Sequence, residues 1–218
     1  MKGIGSLLVG LLLMQSVVAQ TAQTLNLPAL QRQGQLPIVN RDVSPVGRAD
    51  SSFIRLSETN GEGLVWVPVS TSVNSIVEIE MRGKDVFQRS FIGVAFNGLN
   101  DTTYEAVYCR PFNFFAADSI RRIHAIQYVA HPAFTWKKLR ESQNGLFEKP
   151  IPNAPNPNNW FIMKVVIREK TIEAYINDAA QPALVVNRLS NQAGNKLGLF
   201  VGDGSGGDFR RITVTPVR

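Results

Sequence analysis

Aromatics, amides, arginines and both histidines of this chain fall between Tyr104 and Arg140. The segment reads YEAVYCRPFNF, then RRIHAIQYVAHPAFTW, then KKLRE. Alternation along an extended run puts Tyr104, Tyr108 and Arg110 on one side, with Asn113 just beyond the run. A tyrosine ring offers an apolar plane for a pyranose and a hydroxyl that hydrogen-bonds. An arginine fork fits vicinal oxygens or a carboxylate. An asparagine amide donates and accepts, matching a sugar hydroxyl. Gln127, on the parity of His131, extends the set, and Trp136 could cap a sugar plane from the following loop. The chemistry suggested is recognition of a carbohydrate or another polar ligand. A Tyr–Arg stack that braces a sheet, and a tryptophan that anchors a loop, are the structural alternatives for the same residues.

Catalysis would ask for more. Glycoside hydrolysis uses two carboxyl groups, roughly 5–5.5 Å apart in retaining enzymes and roughly 6.5–9.5 Å apart in inverting ones. Glu105 adjoins Tyr104, although alternation puts it with Val107 and Cys109. His131, as a neutral imidazole, could act as a base. Glu105 and His131 are therefore the candidate acid/base groups, and Glu148 could complete a pair from the long loop. Glu78 and Glu80 also share a strand face, which reads better as a solvated surface. His124 and His131 are seven residues apart, which is not a metal-ligand spacing on one strand. No metal site is expected from them, and hydrogen-bonded structural roles are their default.

The elements that must position these residues are short strands. About eleven alternating runs lie between Phe53 and Thr215, bounded by Gly, Asn and Pro. Among them, Ser75–Met81 sets Val77, Ile79 and Met81 against Glu78 and Glu80. Phe91–Asn97 sets Ile92, Val94 and Phe96 against Gly93 and Ala95, small residues that would leave room on a binding face. Residues 131–159 read as a long irregular segment around Pro-Asn-Ala-Pro-Asn-Pro-Asn-Asn. No long amphipathic helix and no fixed-period repeat is visible. These features predict an all-β sandwich of two antiparallel sheets, in which the outer face of one sheet serves the ligand.

The 218-residue chain begins with Lys2, an apolar run through Leu7–Met14, and small residues at Val17-Val18-Ala19. This reads as a signal peptide over residues 1–19, too short for the roughly 20 residues of a membrane span. The expected product is exported to the periplasm or the extracellular space and has no membrane span. Residues 20–46 read as a polar leader or linker, and residues 47–218 as one domain. Cys109 is the only cysteine, so no internal disulfide can form, and it reads as a small buried residue. The formal charge is +6. For an exported protein that surplus suggests an acidic glycan or an anionic envelope rather than nucleic acid, with solubility as the plain alternative. The oligomeric state is left open.

The closing residues carry a resemblance. Asn159-Trp160 is followed by Tyr175-Ile176-Asn177-Asp178, then Gly198-Leu199-Phe200-Val201-Gly202 and Gly206-Gly207-Asp208-Phe209. This pattern resembles the last strands of a concanavalin A-like lectin/glucanase jelly roll. More narrowly, it resembles the 3-keto-disaccharide hydrolase-like family of exported bacterial proteins, grouped with family 16 glycoside hydrolases. The resemblance implies a jelly roll, a concave sugar-binding face and action on glycosides. The Glu-x-Asp-x-Glu triplet of family 16 glucanases is absent; Glu78-Ile79-Glu80 lacks the third carboxylate. A retaining mechanism is therefore not carried over. Jelly rolls sometimes hold a structural calcium, and Gly202–Asp208 is rich enough in Gly and Asp to suggest one. A tight turn explains that loop better, and no cofactor is expected. Three functions stand open: a glycan-binding domain, a glycosidase acting on 3-keto-glycosides or related glycosides, and a structural envelope protein.

Overall fold

Strand alternation gives this chain two sets of apolar faces, and the fold buries them against each other. The computed structural model describes residues 21–48 and 51–217. The expected signal peptide lies outside the described residues. In chain order the strands are β1 (Gln23–Asn26), β2 (Ile38–Val39), β3 (Val43–Val46), β4 (Phe53–Leu56) and β5 (Gly63–Ser70). They continue with β6 (Ser75–Arg82), β7 (Ile92–Asn100), β8 (Thr103–Cys109), β9 (Ile126–Ala130) and β10 (Glu148–Lys149). The last five are β11 (Phe161–Ile167), β12 (Thr171–Ile176), β13 (Leu184–Asn187), β14 (Lys196–Val201) and β15 (Gly207–Pro216). Three short helices, α1 (Leu27–Arg32), α2 (Ser119–Arg122) and α3 (Trp136–Ser142), lie between them.

The back sheet runs β13-β12-β11-β6-β15-β4-β3, with β1 also paired to β15; the front sheet runs β10-β9-β8-β7-β14-β5-β2. Every pairing is antiparallel. The sandwich is thus the predicted all-β class. In β6, Val77, Ile79 and Met81 are buried while Glu78 is exposed, so the back sheet keeps one solvated face. There Glu80 pairs with Arg210 at 2.8 Å and Arg211 at 3.1 Å, which makes it part of an ion-paired surface. The front sheet differs: β9 is buried along its whole length, as is β7 from Ile92 to Gly98. Loops roof its outer face, so alternation there separates two buried layers rather than core from solvent.

Two expectations change. The described part of the 20–46 segment, residues 21–46, is woven into the sandwich instead of wrapping it. Asn26 caps α1 by accepting from Ala29 N at 3.0 Å, β1 lies along Arg211–Val214 of β15, and Leu25, Leu27 and Leu36 join the core. These strands are two to four residues long, too short to display alternation. The segment from 131 to 159 is not wholly irregular either. It forms α3, capped by Thr135, and β10, which pairs with β9. The Asn60-Gly61 turn, with Gly61 at φ +80°, leads from β4 in the back sheet to β5 in the front sheet.

Candidate functional site

The register of the front sheet collects four strand ends. Val201 pairs with Gly63 and with Ile92, and Ile92 pairs with Cys109. The residues just past these ends are therefore neighbours: Glu62 before β5, Asp203 after β14, Phe91 before β7 and Arg110 after β8. They border a cleft of about 270 Å³, completed by Tyr108, Gln88 and Trp136. Cys109 Sγ lies 4.0 Å from Met163 Sδ in the back sheet, so Cys109 faces inward and Tyr108 outward. Burial pushes the Cys109 thiol pKa up, consistent with an inert core residue.

The small residues of β7 do not leave the room expected of them. A Cβ on Gly93 would come within 2.1 Å of Val107 O, because the β8 backbone and Tyr108 already occupy that side. Aromatic rings floor the outer face instead. Tyr108 and Phe200 lie 5.2 Å apart, Tyr104 and Phe200 6.3 Å, and Trp66 and Tyr104 6.3 Å. The cleft opens beside this layer.

One wall is a buried polar network. The Tyr108 hydroxyl donates to Gln127 Oε1 at 2.8 Å and accepts from Arg110 Nη2 at 3.0 Å. Arg110 also donates to Gln127, and through Nη1 to His124 O at 2.9 Å. Its guanidinium lies 5.0 Å from the Tyr108 ring centroid and 5.5 Å from that of Phe91. Glu148 anchors the group: Arg140 Nη2 reaches it at 2.8 Å, His124 Nδ1 at 2.8 Å and Arg110 Nη1 at 3.5 Å. Burial alone would raise the Glu148 pKa, but the Arg140 hydrogen bond and the Arg110 and Arg140 charges hold it below the ordinary carboxylate range. Burial lowers that of His124 despite Glu148, and the Tyr108 phenol is pushed up to about 12, mainly by burial. The same Arg140 lies over the Trp136 ring at 5.4 Å, bracing an indole that stays 45% exposed.

The opposite wall carries carboxylates. Glu62 Oε2 accepts from the Tyr104 hydroxyl at 2.6 Å. The His131 ring stacks on Tyr104 at 4.9 Å, and its Nε2 stands 3.4 Å from Glu62 Oε1. Desolvation lowers the His131 pKa while Glu62 pulls the other way. Asp203 Oδ1 accepts from Gly61 N at 2.5 Å. Behind both, buried Arg41 donates to the carbonyls of Asn40, Gly61, Gly202 and Ser205, fastening the two loops together.

Of the residues predicted to carry function, the cleft takes Tyr108, Arg110 and Trp136. Gln127, Tyr104 and His131 support its walls from behind. Asn113 does not reach it. It closes a 3-10 turn over Pro111–Asn113, where its amide donates to His124 O at 3.3 Å and accepts from Arg121 Nε at 3.3 Å. Glu105 is the main correction. It shares the inward parity of Val107 and Cys109 and is fully buried. Both its oxygens are taken, by Arg188 (2.5 and 3.2 Å), Tyr128 (2.6 Å) and Asn97 (3.1 Å). An ion pair sealed in the core cannot reach a substrate. In the Gly202–Asp208 loop the two carboxylates go to separate partners: Asp208 is held by Arg55 and Arg82 at 2.7 and 2.6 Å, and Asp203 Oδ1 accepts from Gly61. Among the described residues no three His, Cys, Asp or Glu side chains group to hold a metal ion. No described helix is long and apolar enough to cross a membrane.

Glu62, Asp203 and Arg41 were not singled out as site residues by sequence reasoning. Their only local signal was the turn chemistry around Gly61 and Gly202.

No family model and no curated protein matches this sequence. Solved structures do resemble the fold. The carbohydrate-binding module CBM66 from Bacillus subtilis superposes with a TM-score of 0.57 at 14% identity, covering 83% of this chain and 94% of that one. The exoplasmic/lumenal domain of VIP36, in a form bound to Ca2+ and Man3GlcNAc, gives 0.54 at 11% identity and covers 84% of each. Domain 4 of AbnA, a GH43 extracellular arabinanase from Geobacillus stearothermophilus, in complex with arabinotriose, gives 0.52 at 10% identity, covering 91% of this chain and 92% of that one. At such identities the likeness is one of fold, and the fold is a concanavalin A-like β-sandwich.

Proposed function

We propose that this protein binds a glycan in the cleft at the end of the front sheet. The observation that carries the reading is the half-exposed Trp136 indole beside a cleft whose other wall presents Glu62 and Asp203. An exposed ring gives a sugar its apolar contact, and carboxylates accept from its hydroxyls. The CBM66, VIP36 and AbnA structures are a carbohydrate-binding module, a mannose-glycan complex and an arabinotriose complex, which supports the same reading. Export to the periplasm or beyond is part of the proposal, on the strength of the N-terminal signal pattern. A cleft of this kind weighs against a purely structural envelope role.

Titration of the full chain with a panel of oligosaccharides tests the proposal. Trp136→Ala should weaken binding about tenfold or more, as loss of an aromatic anchor worth roughly 2 kcal/mol would. Its melting temperature should hardly move, because the ring is exposed. No binding to any glycan at millimolar concentration would discard the reading.

A second reading, hydrolysis of 3-keto-glycosides or related glycosides, is favoured by one fact: two carboxylates line the same cleft. In that case Glu62 and Asp203, not Glu105, are the acid/base pair, with His131 beside Glu62. Sugar released from the same panel, and lost in Glu62→Gln and Asp203→Asn, would convert the binder into an enzyme of the kind the closing motifs resemble.

A further inference from the structure

Resting on the glycan-binding reading, we propose that the cleft selects an uncharged glycan, held by hydroxyl pairs that donate to Asp203 and Glu62, and rejects glycans bearing carboxylate or sulfate groups. The cationic side chains in and behind the cleft walls are already engaged. Among the described residues, Arg110 is the only cation lining the cleft. Its Nη1 is committed to His124 O and faces Glu148, and its Nη2 is committed to Tyr108 and Gln127. The Tyr108 hydroxyl gives its proton to Gln127 and accepts from Arg110, so that residue offers the ligand mainly its ring. Arg41 stands close to both carboxylates, but its N–H groups end on four backbone carbonyls. Arg140 is behind Trp136, bound to Glu148.

What remains open is neutral donors, the Gln88 amide and the Trp136 indole N–H, and the acceptor capacity of two carboxylates. Asp203 uses Oδ1 for Gly61 and keeps Oδ2. Glu62 uses Oε2 for Tyr104 and keeps Oε1, which has only the unaligned His131 Nε2 at 3.4 Å. Carboxylate oxygens accept and never donate, so they match sugar hydroxyls and repel acidic groups. An anionic sugar here would lose its hydration next to two carboxylates, and the one cation among the described lining residues, Arg110, already has both Nη groups engaged; the exposed Arg89 stands outside the lining, beside Gly204. Arg41 behind the wall balances part of the negative charge.

The formal charge of +6 works in the opposite direction over the rest of the surface. Polyanions will therefore adhere weakly at low salt, and ionic strength separates that adhesion from the cleft. The experiment is calorimetric titration of the full chain with neutral oligosaccharides and with uronate- or sulfate-bearing oligosaccharides of similar length, at ~0.05 and ~0.5 M salt. Expected is binding of a neutral member with little salt dependence, weakened at least tenfold by Asp203→Asn. Acidic members should bind only at low salt and be indifferent to Asp203→Asn. Should Asp203→Asn lower the melting temperature, Glu62→Gln is the second variant, since its amide oxygen still accepts from Tyr104. Acidic glycans binding more tightly than neutral ones at high salt would overturn the selectivity and leave glycan binding standing. No binding by any member at either salt would overturn both.

Discussion

Replacing Glu105 by Gln keeps the shape of the side chain and removes the charge that faces Arg188. The guanidinium would then sit in the core, 8% exposed, without its counter-ion. Breaking a buried pair from one side costs about 3–5 kcal/mol. Urea unfolding of Glu105→Gln should show a loss of that order, while the folded fraction binds glycan with unchanged affinity. A loss of binding with normal stability would return Glu105 to the site. The same reasoning separates the tyrosines. Tyr104 and Tyr108 share a face, yet Tyr108 borders the cleft and Tyr104 holds Glu62 from behind. One residue of strand parity removes Glu105 from chemistry, and one hydrogen bond makes Tyr104 a support.

At the scale of elements, the site depends on which strand ends are adjacent. Arg41, between β2 and β3, is the fastening that keeps the loop before β5 against the loop after β14. Arg41→Met would leave four carbonyls without their donor, at a cost on the order of 3 kcal/mol or more. Hydrogen exchange should quicken at the amides of Gly61, Gly202 and Gly204, and glycan affinity should fall with it. Unchanged exchange there would mean the loops are held by something else. Arg41→Lys should fall between, because one ammonium cannot serve a fork's worth of carbonyls. This dependence also explains what the sequence discloses. Apart from β10, the strands from Phe53 onward alternate over four or more residues and are legible, as are Tyr108 on β8 and Arg110 just past it. Trp136 is legible as an aromatic, though the sequence reads it as part of a loop and it opens α3 instead. Strands β1, β2, β3 and β10 have two to four residues and leave too little pattern to detect. Glu62 and Asp203 are 141 positions apart and meet only because β14 pairs with β5. Alternation says which way a side chain points; it does not say which strand lies next door.

Over the whole molecule, the two outer faces are built differently, and acid should find the difference. The back face is solvated and carries ion pairs such as Glu80 with Arg210 and Arg211. The front face is roofed, and its roof holds two imidazoles in partial burial and the buried Glu148 carboxylate. His124 is faced by Glu148, Arg140 and Arg110, and His131 by Glu62 and the Tyr104 ring. Desolvation lowers the pKa of both imidazoles, and the arginines lower that of Glu148 against its own burial. In each case the unfolded chain takes up its proton at a higher pH than the folded one, so stability must rise with pH across the interval. The histidine contribution is complete above about 6.5 and is lost as pH falls below it; the Glu148 contribution is complete above about 4.3 and is lost lower still. The melting temperature should therefore hold level above neutrality, decline through pH 6, and decline again below pH 4. In His124→Gln/His131→Gln the first decline should flatten and the second remain. Calorimetry at constant ionic strength reads both steps. A melting temperature that climbs as the wild-type protein is taken from pH 7 to pH 5.5 would mean that the roof binds protons more tightly than the unfolded chain does, and that its imidazoles are charged ligands of Glu148 and Glu62.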